Sequence, residues 1–153
     1  MPRPLPESLP DPLKMRLESY ERGLIGFGEK TGLSRGGVYS MFLDGGGQLR
    51  SLRNLIKFAQ ALNTSSEHLL SILQIDDESQ RRLKLLELIY ANRMKHFIDV
   101  DIAAGLSKNT FTQMAIARRG LKILIRCSLI AQGLEMSLDG LAKISTKNWK
   151  PSY

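Results

Sequence analysis

Between positions 102 and 115 the chain reads IAAGLSKNTFTQMA. Five polar side chains, Lys108, Asn109, Thr110, Thr112 and Gln113, alternate there with bulky apolar ones, Leu106, Phe111 and Met114. A primary amide carries a donor beside an acceptor, so Asn and Gln can bond the edge of adenine at two points, and a lysine ammonium can donate to guanine. An earlier stretch, EKTGLSRGGVYSMFL at 29–43, has the same Gly-Leu-Ser followed by a basic residue. Its corresponding polar or small positions are Ser34, Arg35, Gly36, Gly37, Tyr39 and Ser40. This set is poorer in amides, and each glycine within a helix costs about 1 kcal/mol of propensity. In one reading the glycines allow close backbone approach and leave Arg35 and Tyr39 as contacts. In the other, this first stretch only packs.

The likeness extends beyond three residues. Gly32-Leu33-Ser34 recurs 73 positions later as Gly105-Leu106-Ser107, and at that offset Val38 falls on Phe111, Met41 on Met114 and Gly47 on Gly120. Ala59-Gln60-Ala61-Leu62 recurs as Ala131-Gln132-Gly133-Leu134 at an offset of 72, with Ser65 on Ser137 and Leu69 on Leu141. Turn formers and core positions repeat in one order. The chain therefore reads as two copies of a helical unit of roughly 65 residues, below the usual size of a single domain.

The elements that would position the polar stretches are helices. Pro2, Pro4, Pro6 and Pro10 make residues 1–11 an extended arm, since proline fixes φ and lacks an amide donor. Asp11-Pro12 has the form of an N-cap followed by proline at the first helical position, opening a helix that stops near Gly23. Ser51 is placed to cap LRNLIKFAQALN, whose Leu52, Leu55, Ile56, Ala59 and Leu62 share one face. Ser65 or Ser66 is placed to cap EHLLSIL. The acidic stretch DDES at 76–79 marks a boundary and caps SQRRLKLLELIYANRM. No segment alternates with period two, so the expected fold class is all-α. Glycine in Gly-Leu-Ser suits a turn with positive φ, the leucine fills the gap between two helices, and the serine caps the second. That is a helix-turn-helix, whose second helix can enter a major groove.

EKTGLSRGGVYSMFLDGG followed by LRSLRNLIKFAQALNTSSEHLL resembles the lambda-repressor/Cro-like (Xre-type) helix-turn-helix domain. The resemblance covers about residues 12–73 and is weaker over about 80–145. It implies two tandem five-helix units with helices two and three forming the motif. Phe27 and Gly28 take positions where the family has leucine and alanine. Val38 and Met41 take core positions of the recognition helix, and Leu52, Leu55, Phe58 and Leu62 match helix four. Asp101 stands where the family has a small residue. The domains expected are an arm at 1–11, one unit at 12–75, a second at 79–146 and a basic, aromatic tail at 147–153. Base-reading residues implied are Ser34, Arg35, Gly37, Tyr39 and Ser40, with Lys108, Asn109, Thr110, Thr112 and Gln113. Phosphate contacts would flank them: Lys30, Arg50 and Arg53, then Arg118, Arg119 and Lys122.

Composition agrees with this direction. The chain has 153 residues, 42% hydrophobic, and a formal net charge of +7. Such an excess favours polyanions or solubility. It is uneven, with nine Lys+Arg and seven Asp+Glu in residues 1–75 against 13 and eight in 76–153, so the second half carries more of it. Cys127, the single cysteine, excludes an internal disulfide and reads as a buried thiol. His68 and His96 are far apart, so no zinc spacing exists and no cofactor is expected. GGG at 45–47 lacks the lysine and serine of a phosphate loop. No signal peptide or membrane span is legible, which points to the cytoplasm. The resulting expectation is a non-enzymatic, sequence-specific duplex-DNA-binding transcriptional regulator, a repressor and homodimer, associated with mobile elements and controlling its own gene. The alternative is a protein-interaction module on the same scaffold, such as an antitoxin or nuclease inhibitor whose partner is a toxin or nuclease.

Overall fold

The computed structural model describes Glu29, Thr31, Gly32, Leu33 and residues 49–145. The proline-rich arm, the first helix, Lys30, residues 34–48 and the tail lie outside the described residues, and so do the expected contacts Ser34, Arg35, Gly36, Gly37, Tyr39 and Ser40. Among the described residues there are seven helices and no strand: α1 Arg50–Ala61, α2 Ser66–Leu73, α3 Glu78–Ala91, α4 Phe97–Ala104, α5 Thr110–Ala115, α6 Leu121–Gly133 and α7 Leu138–Ser145. The described part is all-α.

Local sequence explains most of the helix ends. The hydroxyl of Ser65 accepts the His68 amide at 3.0 Å and opens α2. A carboxylate oxygen of Asp77 accepts the amides of Ser79 and Gln80 and opens α3. Each bond satisfies a first-turn amide that the helix itself leaves unpaired. Asp99 accepts the Lys95 and His96 amides at 3.0 and 2.9 Å around the start of α4. Those two backbone donors, first Lys95 and then His96, hold its carboxyl below the ordinary carboxylate range. Ser51 is not the cap of α1. The helix begins two residues earlier than that cap would place it, at Arg50 after Leu49, with no side-chain cap. Leu49 is fully buried, so its burial rather than a hydroxyl fixes where α1 starts.

The packing joins the two halves of the sequence. α1 lies against α2, α4, α6 and α7, and α2 lies against α3, α6 and α7. Leu52, Leu55, Ile56, Phe58 and Leu62 of the α1 region share a single buried cluster with Val100, Phe111, Leu124, Cys127, Ile130 and Leu141. Burying one such Leu, Ile or Phe side chain contributes about 1.5–3 kcal/mol, so the shared core is what holds the halves together. Cys127 is buried as expected, and burial pushes its thiol up to about 12. It is therefore a packing residue and not a nucleophile at neutral pH.

Part of the repeat has a structural counterpart among the described residues. At an offset of 72, the pair α1–α2 matches the pair α6–α7. Asn63 and Glu135, both left-handed at φ 50° and 56°, end α1 and α6. The Thr64 amide donates to the Ala59 carbonyl at 2.9 Å, and the Met136 amide to the Ala131 carbonyl at 3.0 Å. Both ends are Schellman closures. The Ser137 hydroxyl accepts the Gly140 amide at 3.0 Å, as Ser65 does for His68. Leu52, Phe58, Leu62 and Leu69 have buried counterparts in Leu124, Ile130, Leu134 and Leu141. Gly32 and Gly105 also agree, at φ 76° and 70°.

Candidate nucleic-acid interface

α5 is only six residues long, too short to be stable on propensity alone. Its inner face explains why it forms. Phe111, Met114 and Ala115 are buried. The Phe111 ring meets Phe58 of α1 edge-on at 4.9 Å between centroids, and Phe97 of α4 at 5.2 Å. Such pairs add about 0.5–1.5 kcal/mol to the area they bury.

Both ends of α5 are tied by buried charged side chains. Asp101, 1% exposed on α4, accepts the Asn109 amide at 3.0 Å and the Phe111 amide at 2.8 Å, one on each carboxylate oxygen. Asn109 itself is left-handed at φ 73° and its side chain caps nothing. Ser107 is therefore not the cap of the second helix. Its carbonyl instead accepts the Thr110 amide and the Thr110 hydroxyl, the latter at 2.6 Å. A carboxylate outcompetes a serine hydroxyl here because charge-assisted bonds are about twice as strong as neutral ones. At the other end Arg81, 2% exposed on α3, donates to the carbonyls of Ala115 at 2.8 Å and Ile116 at 3.4 Å. It also donates to the carbonyl of Ile75 at 2.5 Å and, more weakly, to that of Asp76. Negative charge at the N-terminal end and positive charge at the C-terminal end both suit the helix dipole.

With its inner face and both ends fixed, α5 turns its remaining side chains outward. Lys108, Asn109 and Gln113 are exposed, while Thr110 and Thr112 are half-buried. Arg119 donates to the Gln113 side-chain oxygen at 3.1 Å, and its amide donates to the Gln113 carbonyl at 3.0 Å. This clasp leaves the amide nitrogen of Gln113 as a free pair of donors and one oxygen lone pair as an acceptor.

All of these outward side chains except Thr112 line a cleft of about 310 Å³ shared with the first turn of α1, together with Arg50, Ser51, Asn54, Met114 and Arg119. The lining carries three cations and no carboxylate. Gly120 closes the junction. It is left-handed at φ 83°, and a Cβ there would overlap the Ser51 hydroxyl. Only glycine lets the start of α6 sit so close to α1.

The expected flanking cations separate into groups. Arg50 and Arg119 line the cleft, whereas Arg53, Arg118 and Lys122 do not. Lys122 is exposed on α6. Arg118 has φ 56° and lies 3.4 Å from the Asp76 carboxylate. Arg53 is half-buried, with its Nε enclosed and unpaired. Sequence reasoning does not assign Asp101, Arg81, Ser51 or Asn54 to this region. Only Asp101 leaves a trace, as an acid where the resembled pattern has a small residue.

Among the described residues no group of three His, Cys, Asp or Glu side chains could hold a metal ion, and no helix is long and apolar enough to cross a membrane. No protein-family model, curated protein or solved structure matches the chain.

Proposed function

We propose that the protein is a sequence-specific duplex-DNA-binding transcriptional regulator of the lambda-repressor/Cro-like kind. It acts in the cytoplasm as a repressor by occupying a promoter and is built from two tandem five-helix units. The observation that carries this reading is α5, a short helix clamped at both ends. It presents Lys108, Asn109 and Gln113 outward beside Arg50 and Arg119 in a cleft without carboxylates. Amides beside cations are the side-chain chemistry that reads base edges while neighbouring charges hold phosphates. A second support is the preorganisation of the helix. Asp101 and Arg81 remove the freedom that α5 would otherwise lose on binding.

Selection from a library of random duplexes tests the reading. The expected result is one enriched sequence, bound with an affinity whose logarithm falls linearly with the logarithm of salt concentration as counterions are released. Absence of any enriched sequence, or purification with a stoichiometric protein partner and no affinity for DNA, contradicts it.

A further inference from the structure

Two hydrogen bonds between the α1–α2 and α6–α7 pairs mirror each other. The Ser66 hydroxyl donates to the Asp139 carboxylate at 2.7 Å, and the Leu138 amide donates to the Glu67 carboxylate at 2.8 Å. At the repeat offset of 72, position 66 corresponds to 138 and position 67 to 139. The first bond joins 66 to 139, and the second joins 138 to 67. The helix contacts obey the same exchange: α1 touches α7 as α2 touches α6, while α1 meets its own counterpart α6, and α2 meets α7. A contact in which residue i of one half meets j of the other, and j′ meets i′, is the signature of a two-fold axis. A direct, translational repeat would give one of each pair without its mirror.

We propose that one copy of this chain is an internal dimer and binds an inverted-repeat operator alone, in place of the homodimer that the sequence suggests. The inference rests on the proposed DNA-binding reading and adds the symmetry and stoichiometry of the site. One half-site falls to α5 and the cleft that contains Arg50. The other falls on the two-fold-related side, where Lys122 occupies the position of Arg50 and is likewise exposed. The two halves are not chemically equal. Ile123 and Arg126 stand where the first copy has Ser51 and Asn54, so the half-sites differ in sequence and the operator is an imperfect palindrome. In helix-turn-helix proteins, half-sites related by a two-fold axis lie about one helical turn apart, or a multiple of it.

A homodimer and an internal dimer respond differently to one substitution. In a homodimer every substitution occurs twice and alters both half-sites. In an internal dimer it occurs once and alters one. The test uses the full chain and the duplex enriched by selection, with hydroxyl-radical footprinting and sedimentation of the complex. The expected result is one chain per duplex and an enriched sequence with two halves in opposite orientation. Asn109→Ala combined with Gln113→Ala should remove protection from one half, and Lys122→Ala should weaken only the other. Circular dichroism melting of each variant identifies any that fail to fold. Arg50→Ala then serves as the second surface variant for the first half. Two chains per duplex, a direct repeat, or loss of both halves on one substitution overturns the inference and leaves the DNA-binding reading intact. If the wild-type chain enriches no duplex, both fall.

Discussion

The pair α1–α2 and the pair α6–α7 occupy matching places, yet they match only where the fold demands it. Helix-ending residues with positive φ and capping serines correspond one to one, and many buried apolar positions do as well. Positions outside the core do not: the half-buried Arg53 corresponds to the exposed Ile125, and the half-buried Asn54 to the exposed Arg126. The lesson is that packing constrained both copies while the surface was free to specialise. The same asymmetry reaches the core, where Ile56 corresponds to the half-buried Ser128. Phe58 corresponds to Ile130, and it is Phe58 that meets Phe111 beneath the outward face of α5.

That difference yields the largest expected effect. Phe58→Ala should cost about 3–5 kcal/mol and Ile130→Ala about 2–5 kcal/mol, measured by urea unfolding. In the surviving folded protein, Phe58→Ala should also weaken binding to the selected duplex, because α5 loses its support. Ile130→Ala should leave that binding unchanged once the folded fraction is taken into account. Equal effects on binding would break the distinction drawn between the two pairs. The smaller test concerns what the pairs share. Ser65→Ala and Ser137→Ala should each cost about 1 kcal/mol, the usual worth of a serine cap. A large inequality between them would show that the two helix starts are not equivalent.

Signals confined to a few neighbouring residues are legible in the sequence. Gly32 and Gly105 read as turns with positive φ, Ser65 or Ser66 as a cap, the acidic 76–79 stretch as the start of a helix and Cys127 as a buried thiol. All of these features are present in the structure. Signals that depend on distant partners are not legible. Arg81 bonds carbonyls 34 and 35 positions away, and nothing in a charged helix sequence marks such a guanidinium as buried. Ser51 and Ser107 look like caps by local rule, but Leu49 burial and the Asp101 carboxylate override them. The stretch at 76–79 changes composition without interrupting the core, because residues before and after it belong to one buried cluster. The outward side chains of α5 follow from spacing alone, since Phe111 and Met114 fix the inner face of the helix. The contribution of Ser51 and Asn54 to the cleft depends on α1 lying beside α5, which no local pattern reveals.

The proposed role of α5 is to read bases. The most direct measurement compares the wild-type chain with the Asn109→Ala, Gln113→Ala double variant on the selected duplex and on a scrambled one at one salt concentration. Removing two base-reading amides should cost about 1–3 kcal/mol for each amide that bonds its base at two points. The account predicts a large loss on the selected duplex, unchanged affinity for the scrambled one and an unchanged melting temperature. Unchanged affinity for the selected duplex, or an equal loss on both, would contradict it.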